Sequence, residues 1–571
     1  MPSTAAIDRA LPATLLARLL PGRWTVATVL VALFVATPVL TVAVIALTPA
    51  TDIWRHLYST VLFSYVEKTL TLMVGIGIGT FVIGTGTAWL VTMCRFPGRN
   101  MFNWALLLPL AVPAYILAFV VTDQLEYAGT VQVALRDAFG WKSRQEYWFP
   151  EIRSMGGAIT VMTLVLYPYV YLLARAAFLE QSVCVLEVSR TLGKTPWQCF
   201  RSVALPLARP AIVVGMSLAM MEALNDFGTV SYFAVNTFTL GIYDVWLNMN
   251  DLGGAAQLAS VLMMFVILLI VLERLARRGQ RYHHTSSRLQ ALPRYRLTGL
   301  RAGLAAAACA IPVLLGFVLP ASVLVSYAIR FYEKTLEANY LEITLNSVGL
   351  SAGAAAVAVV IGLVLAYGLR LGSGAVVRTA VRVAGVGYAV PGAVLAIGVI
   401  VPMAAVDNAV DAVARTTLGF STGLLLSGTV VAILYGYLAR FLALSFGTVD
   451  AGLAKVSRSM DGAARTLGAS PLMTMVRVHF PLVRTSLLTA ALLVFVDCMK
   501  ELPMTIILRP FGLETLATFV FQYASYENFE ESALGALTIV GAGLIPVIIL
   551  AVTSLRTRPG HGGPETAPGA C

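Results

Sequence analysis

The chain reads as an all-α membrane protein of about twelve transmembrane helices, arranged as two parallel six-helix repeats. Three observations predict this. Of its 571 residues, 58% are hydrophobic and 12% charged, where soluble domains carry about 25% charged residues. Uncharged runs such as Val26 to Leu47, Ala255 to Leu272 and Gly535 to Ser554 reach the roughly 20 residues that a helix needs to cross a bilayer. They do not alternate as spanning strands do. Finally, RTLGKTPWQCFRSVALPLARP from Arg190 to Pro210 returns as RTLGASPLMTMVRVHFPLVRT from Arg465 to Thr485, an ungapped offset of 275 residues.

In chain order the spans fall near 26–47, 67–92, 103–122, 155–179, 209–231, 255–273, 302–328, 343–369, 383–404, 421–445, 485–507 and 535–554. Two of them, 209–231 and 485–507, contain carboxylates. The first follows Arg9, Arg18 and Arg23 and is too long for a secretory signal, so it reads as an uncleaved anchor. Loop charge sets the orientation. The segment between spans six and seven carries Arg274, Arg277, Arg278, Arg281, Arg288, Arg294, Arg296 and Arg301 against Glu273 alone. Arg370, Arg378 and Arg382 sit on the same side, as do Arg190, Lys194, Arg201, Arg465 and Arg477. Glu527, Glu530 and Glu531 lie opposite. Positive charge marks the cytoplasmic side, which puts both termini and both repeated loops there. The net charge of +11 is therefore topology and no nucleic-acid footprint. Six cysteines without a CxxC spacing and five scattered histidines suggest neither a disulfide framework nor a zinc site.

The duplication extends beyond the loop. Glu67, Thr69 and Leu70 correspond to Glu342, Thr344 and Leu345 at the same offset, and Glu222 and Asp226 to Asp497 and Glu501. Pro113 matches Pro391 with a shift of three. The expected organisation is a first six-span unit at 1–273 with its loop at 187–207, a basic cytoplasmic linker at 274–301, a second unit at 302–555 with its loop at 461–482, and a tail at 556–571. Six spans per unit make the repeats parallel rather than inverted.

Each loop reads as helix–turn–helix. Gly193 and Gly468 suit the left-handed stop of a helix. Thr195-Pro196 and Ser470-Pro471 give a hydroxyl N-cap followed by proline at the first helical position. Trp197, Phe200 and Val203, and in the second copy Leu472, Met475 and Val478, form one apolar stripe on a short helix, which Pro206 and Pro481 are expected to end. An apolar stripe beside arginines is a docking surface. The LGKT at 192–195 is no phosphate loop. GxxxxGK[ST] would need glycine where Val188 stands, and the second copy reads LGAS.

These loops resemble the EAA loop of ABC importer permeases that work with an external binding protein. The halves read EVSRTLG…VALP and DGAARTLG…VHFP, keeping glycine and proline and departing at Val188, Ser189, Asp461, Gly462 and Phe480. The resemblance implies the type I ABC importer permease fold, with both short helices coupling to separate ATP-binding subunits, two copies per chain. Glu187, Gly193, Trp197, Phe200, Pro206, Asp461, Gly468, Leu472, Met475 and Pro481 are the coupling residues it points to. It also implies an extracytoplasmic substrate-binding protein, a bacterial cytoplasmic membrane location, and no enzymatic activity or cofactor in this chain. ATP and Mg would belong to the partner.

Glu222 and Asp226, and likewise Asp497 and Glu501, are spaced i, i+4, which on a continuous helix puts each pair on one face. Glu222 lies thirteen residues beyond Arg209, about 20 Å along a helix, and acids at such depth are costly. Two readings stand: structural pairing, for example with Lys500, or solvation in an outer vestibule; and a carboxylate-lined path for a cation. The segments ALNDFGTVSYFAVNTFTLGIY and MKELPMTIILRPFGLETLATFVFQYASYENFEESALGALTIV resemble ferric-iron importer permeases, and carboxylate oxygens suit a hard cation. Thiamine, sulfate, phosphonate and polyamine importers share the loop. A 6+6 secondary transporter would show twelve spans without matched docking loops, and a membrane enzyme would need a nucleophile–base pair or cofactor loop.

Overall fold

The structure, a computed structural model, describes residues 23–47, 52–181, 187–189, 191–277, 294–337, 339–372 and 374–555. The tail at 556–571, Arg9 and Arg18, Arg190, and the linker arginines Arg278, Arg281 and Arg288 lie outside the described residues. Among the described residues, eleven helices are long and apolar enough to cross a membrane, and a bent pair makes a twelfth. We label the spans α1 (Arg23–Ala46), α2 (Leu62–Met93), α3 (Ala114–Leu125), α4 (Met155–Leu179), α5 (Leu205–Asn225), α6 (Leu252–Arg277), α7 (Leu319–Glu337), α8 (Tyr340–Leu371), α9 (Gly392–Thr417), α10 (Val430–Ala454), α11 (Phe480–Met499) and α12 (Ala533–Leu555).

The duplication is written in the backbone. In each half the third span is interrupted by a short 3-10 turn, Leu108–Ala111 or Val386–Ala389, and restarts at a proline. Pro113 has φ −58° and ψ 142°, and Pro391 has φ −56° and ψ 141°. Proline lacks an N–H and pushes its predecessor out of the helical region, which breaks the helix at the same place twice. In the first half the two parts meet at 92°. The break also moves α9 to 392–417 from the expected 383–404.

Two compact units emerge, and neither is a sequence half. The smaller comprises Met1–Thr37, Ala354–Tyr388 and Tyr437–Val494; the larger comprises Pro38–Gly353, Ala389–Gly436 and Phe495–Cys571. In the smaller unit, the start of α1 lies against α8. Trp24 meets Tyr367 edge-on at 4.9 Å, and Thr28 abuts Gly368 where any side chain would collide. A small core of Ala366, Val449, Leu453, Val483, Leu487 and Ala490 ties α8, α10 and α11 together. In the larger unit, α2 packs on α4 so closely that a Cβ at Gly84 would stand 2.9 Å from the Tyr167 carbonyl oxygen. Small residues at such crossings are how membrane helices approach each other. Also in this unit, α7 packs on first-half elements, and Tyr327 donates to Asp123 at 2.6 Å. The opening span of each half thus packs on the other half.

The end of the linker is fixed as well. Tyr295–Arg296 forms a two-residue parallel bridge with Cys94–Arg95, directly after α2.

Candidate functional site

The two repeated loops fold alike. The chain turns at Gly193 with φ 76° and at Gly468 with φ 77°. Nothing stands within 4 Å of where a Cβ would be in either case, so glycine is needed there for its left-handed backbone and not for space. Lys194 N–H donates to the Ser189 carbonyl at 3.2 Å, and Ala469 N–H to the Ala464 carbonyl at 3.0 Å, the long-range bond of a Schellman turn. The docking helices then start as read from the sequence. Thr195 accepts from Gln198 N–H at 3.3 Å while Gln198 Oε1 accepts from Thr195 N–H at 2.9 Å. Ser470 accepts from Met473 N–H at 3.2 Å.

Two expectations need correction. Pro206 and Pro481 do not end these helices. A π-turn at Phe200–Ala204 and another at Met475–His479 widen the helix just before each proline, sparing the clash that its ring makes in a regular α-helix. Docking helix and span are therefore one rod, Pro196–Asn225 (30 residues) and Pro471–Met499 (29 residues). The apolar stripe also divides. Trp197 and Leu472 are 66% and 57% exposed, but Phe200, Val203, Met475 and Val478 are half-buried against their own bundles. The outward apolar surface is completed by Leu192 and Leu467, 73% and 86% exposed, immediately before the turn glycines. Sequence reasoning passed over both, although the signal lay in the repeated TLG. Glu187, Pro206 and Pro481 are exposed too.

Asp461 faces inward rather than outward. Arg370 grips it with Nε on Oδ2 at 2.8 Å and Nη2 on Oδ1 at 3.2 Å. The same guanidinium donates to the carbonyls of Leu453 at 2.7 Å and Val456 at 2.9 Å. His479 Nε2 lies 2.6 Å from Asp461 Oδ1. Burial alone would raise the Asp461 carboxyl; Arg370 and His479 outweigh it and hold the group below its ordinary range.

The rods end at the membrane acids. α5 stops at Asn225 and α11 at Met499, so Asp226 and Glu501 lie past the helix ends and do not share a continuous helical face with Glu222 and Asp497. Each instead caps the short helix that follows, Gly228–Tyr232 or Pro503–Leu508. Asp226 accepts from Thr229 N–H at 2.8 Å, Val230 N–H at 3.3 Å and the Thr229 hydroxyl at 3.0 Å. Glu501 accepts from Met504 N–H at 3.2 Å. Asp497 pairs with Lys500 at 2.9 Å. Lys500 corresponds to Asn225 in the first half, whose Oδ1 accepts from Gly392 N–H at 2.6 Å. Glu222 is half-buried and makes no hydrogen bond or ion pair among the described residues. No three His, Cys, Asp or Glu side chains among the described residues converge on a metal-sized site.

Residues 75–281 match the family of binding-protein-dependent transport system inner membrane components. A ferric-iron transport system permease, FbpB 2 of Haemophilus influenzae, is 26% identical over 85% of this chain and 89% of its own length. The molybdenum transport permease ModB of Escherichia coli is 27% identical, with 93% of its length in 38% of this chain. The sulfate transport permease CysT of Escherichia coli is 27% identical over 33% of this chain and 67% of its own length. Relatives the size of one unit fit into little more than a third of the sequence, and a relative of double size runs along most of it. With two repeated loops, each continuous with a span, and some twelve candidate membrane helices among the described residues, the chain has the build of an ABC importer permease with two permease units in one polypeptide.

Proposed function

We propose that this permease imports ferric iron. The ferric-iron permease relative that runs along most of the chain supports the cargo, and Glu222, an acid at membrane depth without a cation partner among the described residues, is the observation that carries it. An intramembrane ionisable residue is a functional candidate by default, and oxygen donors suit a hard cation. The units are 1–273 and 302–555, with both termini and the linker cytoplasmic. Two ATP-binding subunits, which supply ATP and Mg chemistry, dock on Leu192–Trp197 and Leu467–Leu472. An extracytoplasmic binding protein delivers cargo to the opposite face.

The mechanism follows from the rods. Thirty helical residues span about 45 Å at 1.5 Å per residue. A helix transmits displacement along its axis, so closure of the ATP-binding subunits on the docking helices moves the helix breaks that Asp226 and Glu501 cap. The chemistry stays in the partner, and this chain converts its motion into a change at the acids.

Purified permease, ATP-binding subunit and binding protein in vesicles should accumulate radiolabelled ferric iron with ATP, and not molybdate or sulfate. The ModB and CysT relatives favour oxyanion transport as a second reading, and uptake of either oxyanion without iron would replace the first with it.

A further inference from the structure

We infer that Tyr115 is a pathway residue: its ring closes the passage at the level of Asp226 and Glu501, and its hydroxyl is kept for the cargo. The inference rests on the import reading above and adds a residue that no motif marks. Tyr115 follows the Pro113 break by two residues. It is buried, 4% exposed, yet its hydroxyl has no hydrogen-bond partner among the described residues. Leaving a buried hydroxyl unpaired is destabilising, so its retention requires a reason. Its surroundings are charged: Glu501, Asp226 and Lys500 all lie within electrostatic reach.

Both repeats meet at this side chain. A Cβ at Gly228 would stand 2.7 Å from Tyr115 Cβ and 2.9 Å from Leu502 Cδ2. Gly228 directly follows the first helix break, and Leu502 lies in the second. Tyr115 therefore sits where the two acid-capped breaks approach, under a cluster in which Phe119 and Phe227 contact Phe521 at ring separations of 6.3 and 5.5 Å. The duplicate of Tyr115, counting from Pro113 and Pro391, is Ala393, also buried. One half thus supplies a large aromatic side chain where the other supplies a methyl group. The ring gives steric closure and the hydroxyl a donor that also accepts, which replaces water around a cation or its chelator during passage.

The test compares Tyr115→Phe, which removes only the hydroxyl, with Tyr115→Ala, which restores the symmetry of Ala393. The protein is the full complex in vesicles, with assembly checked by co-purification of the ATP-binding subunit. Tyr115→Phe should keep wild-type ATP hydrolysis and stay tight to entrapped rubidium while ferric-iron uptake per molecule falls at least fivefold. Tyr115→Ala should release entrapped rubidium without ATP at least tenfold faster than wild type. If Tyr115→Ala does not assemble, Tyr115→Val is measured in its place. Wild-type uptake by the Phe variant, or wild-type rubidium retention by the small variant, overturns the inference. The rubidium arm does not depend on the cargo: a wild-type complex that takes up no ferric iron refutes the cargo and leaves the closure by Tyr115 to be decided by the leak.

Discussion

The two repeated loops make the same turn and are anchored by opposite chemistry. In the first, Phe200 reaches into an aromatic nest, 5.0 Å from Trp89 and 6.5 Å from Phe178 between ring centroids, and the neighbouring positions Thr92 and Ala204 are small and buried. In the second, the residues at the nest positions are Val364, Leu453 and Met475, and the small positions have become Tyr367 and His479. Tyr367 donates to the Pro471 carbonyl at 2.7 Å, its ring lies 5.4 Å from that of His479, and His479 contacts Asp461, which Arg370 holds. Bulk has moved from one set of positions to the other. The duplication preserves the turn and the exposed apolar residues, the proposed docking surface, while the support behind them has diverged as a group. Cores accept joint substitution when the filled volume is kept.

Breaking the ionic anchor should have the largest effect. Arg370→Ala leaves the mostly buried Asp461 with His479 alone, which costs about 3 kcal/mol, the low end for a broken buried pair. Limited proteolysis across residues 453–469 should show that loop released, with the first loop protected as before. Phe200→Ala in the first loop removes a half-buried ring and should cost about 2 kcal/mol, below the 3–5 of a fully buried one, read in the same way. Ala204→His, which copies the second loop into the first, overfills the aromatic nest and should cost about 1–3 kcal/mol. If it stabilises instead, the exchange of bulk is not the reason for the difference.

Smaller effects sharpen the likeness. Gly193→Ala and Gly468→Ala should each cost about 1 kcal/mol through backbone strain alone, and a large difference between them in thermal shift would mean the turns are not equivalent. Leu192→Ser and Leu467→Ser touch nothing in the fold and should leave stability within about 0.5 kcal/mol. Each should nevertheless weaken binding of the ATP-binding subunit in pull-down. The pH response should be smallest in the physiological range. Asp461 is held below its ordinary value of 3.8, so its stabilising contribution is complete above that value and disappears as the pH falls through the lower folded value. Acid should release the second loop before the first, which has no such carboxylate among its described contacts.

Hydropathy and loop charge made the spans and the duplication legible, because both are properties of composition along the chain. Glycine at the turn and hydroxyl–proline at the docking helix were legible as local rules, and both copies obey them. The π-turns were not. Pro206 looked like a stop, and only a widened turn before it lets the rod continue. The i, i+4 spacing of the acids suggested a shared face, but Asp226 and Glu501 can form side-chain caps, and a cap is as consistent with the spacing as a helix interior. Arg370 and Tyr115 were invisible because their meaning depends on partners 91 residues away in one case and on the meeting of two helix breaks in the other.

The crossing of the first span has a consequence in time. Thr28 is made about 340 residues before Gly368, its neighbour in the finished fold. At about 5–20 residues per second, the ribosome needs roughly 20–70 s to supply that neighbour. Throughout that interval the span rests in lipid with its packing face uncovered. Only when α8 arrives does α1 find this neighbour, so a span of the first half waits on the second half to complete its packing.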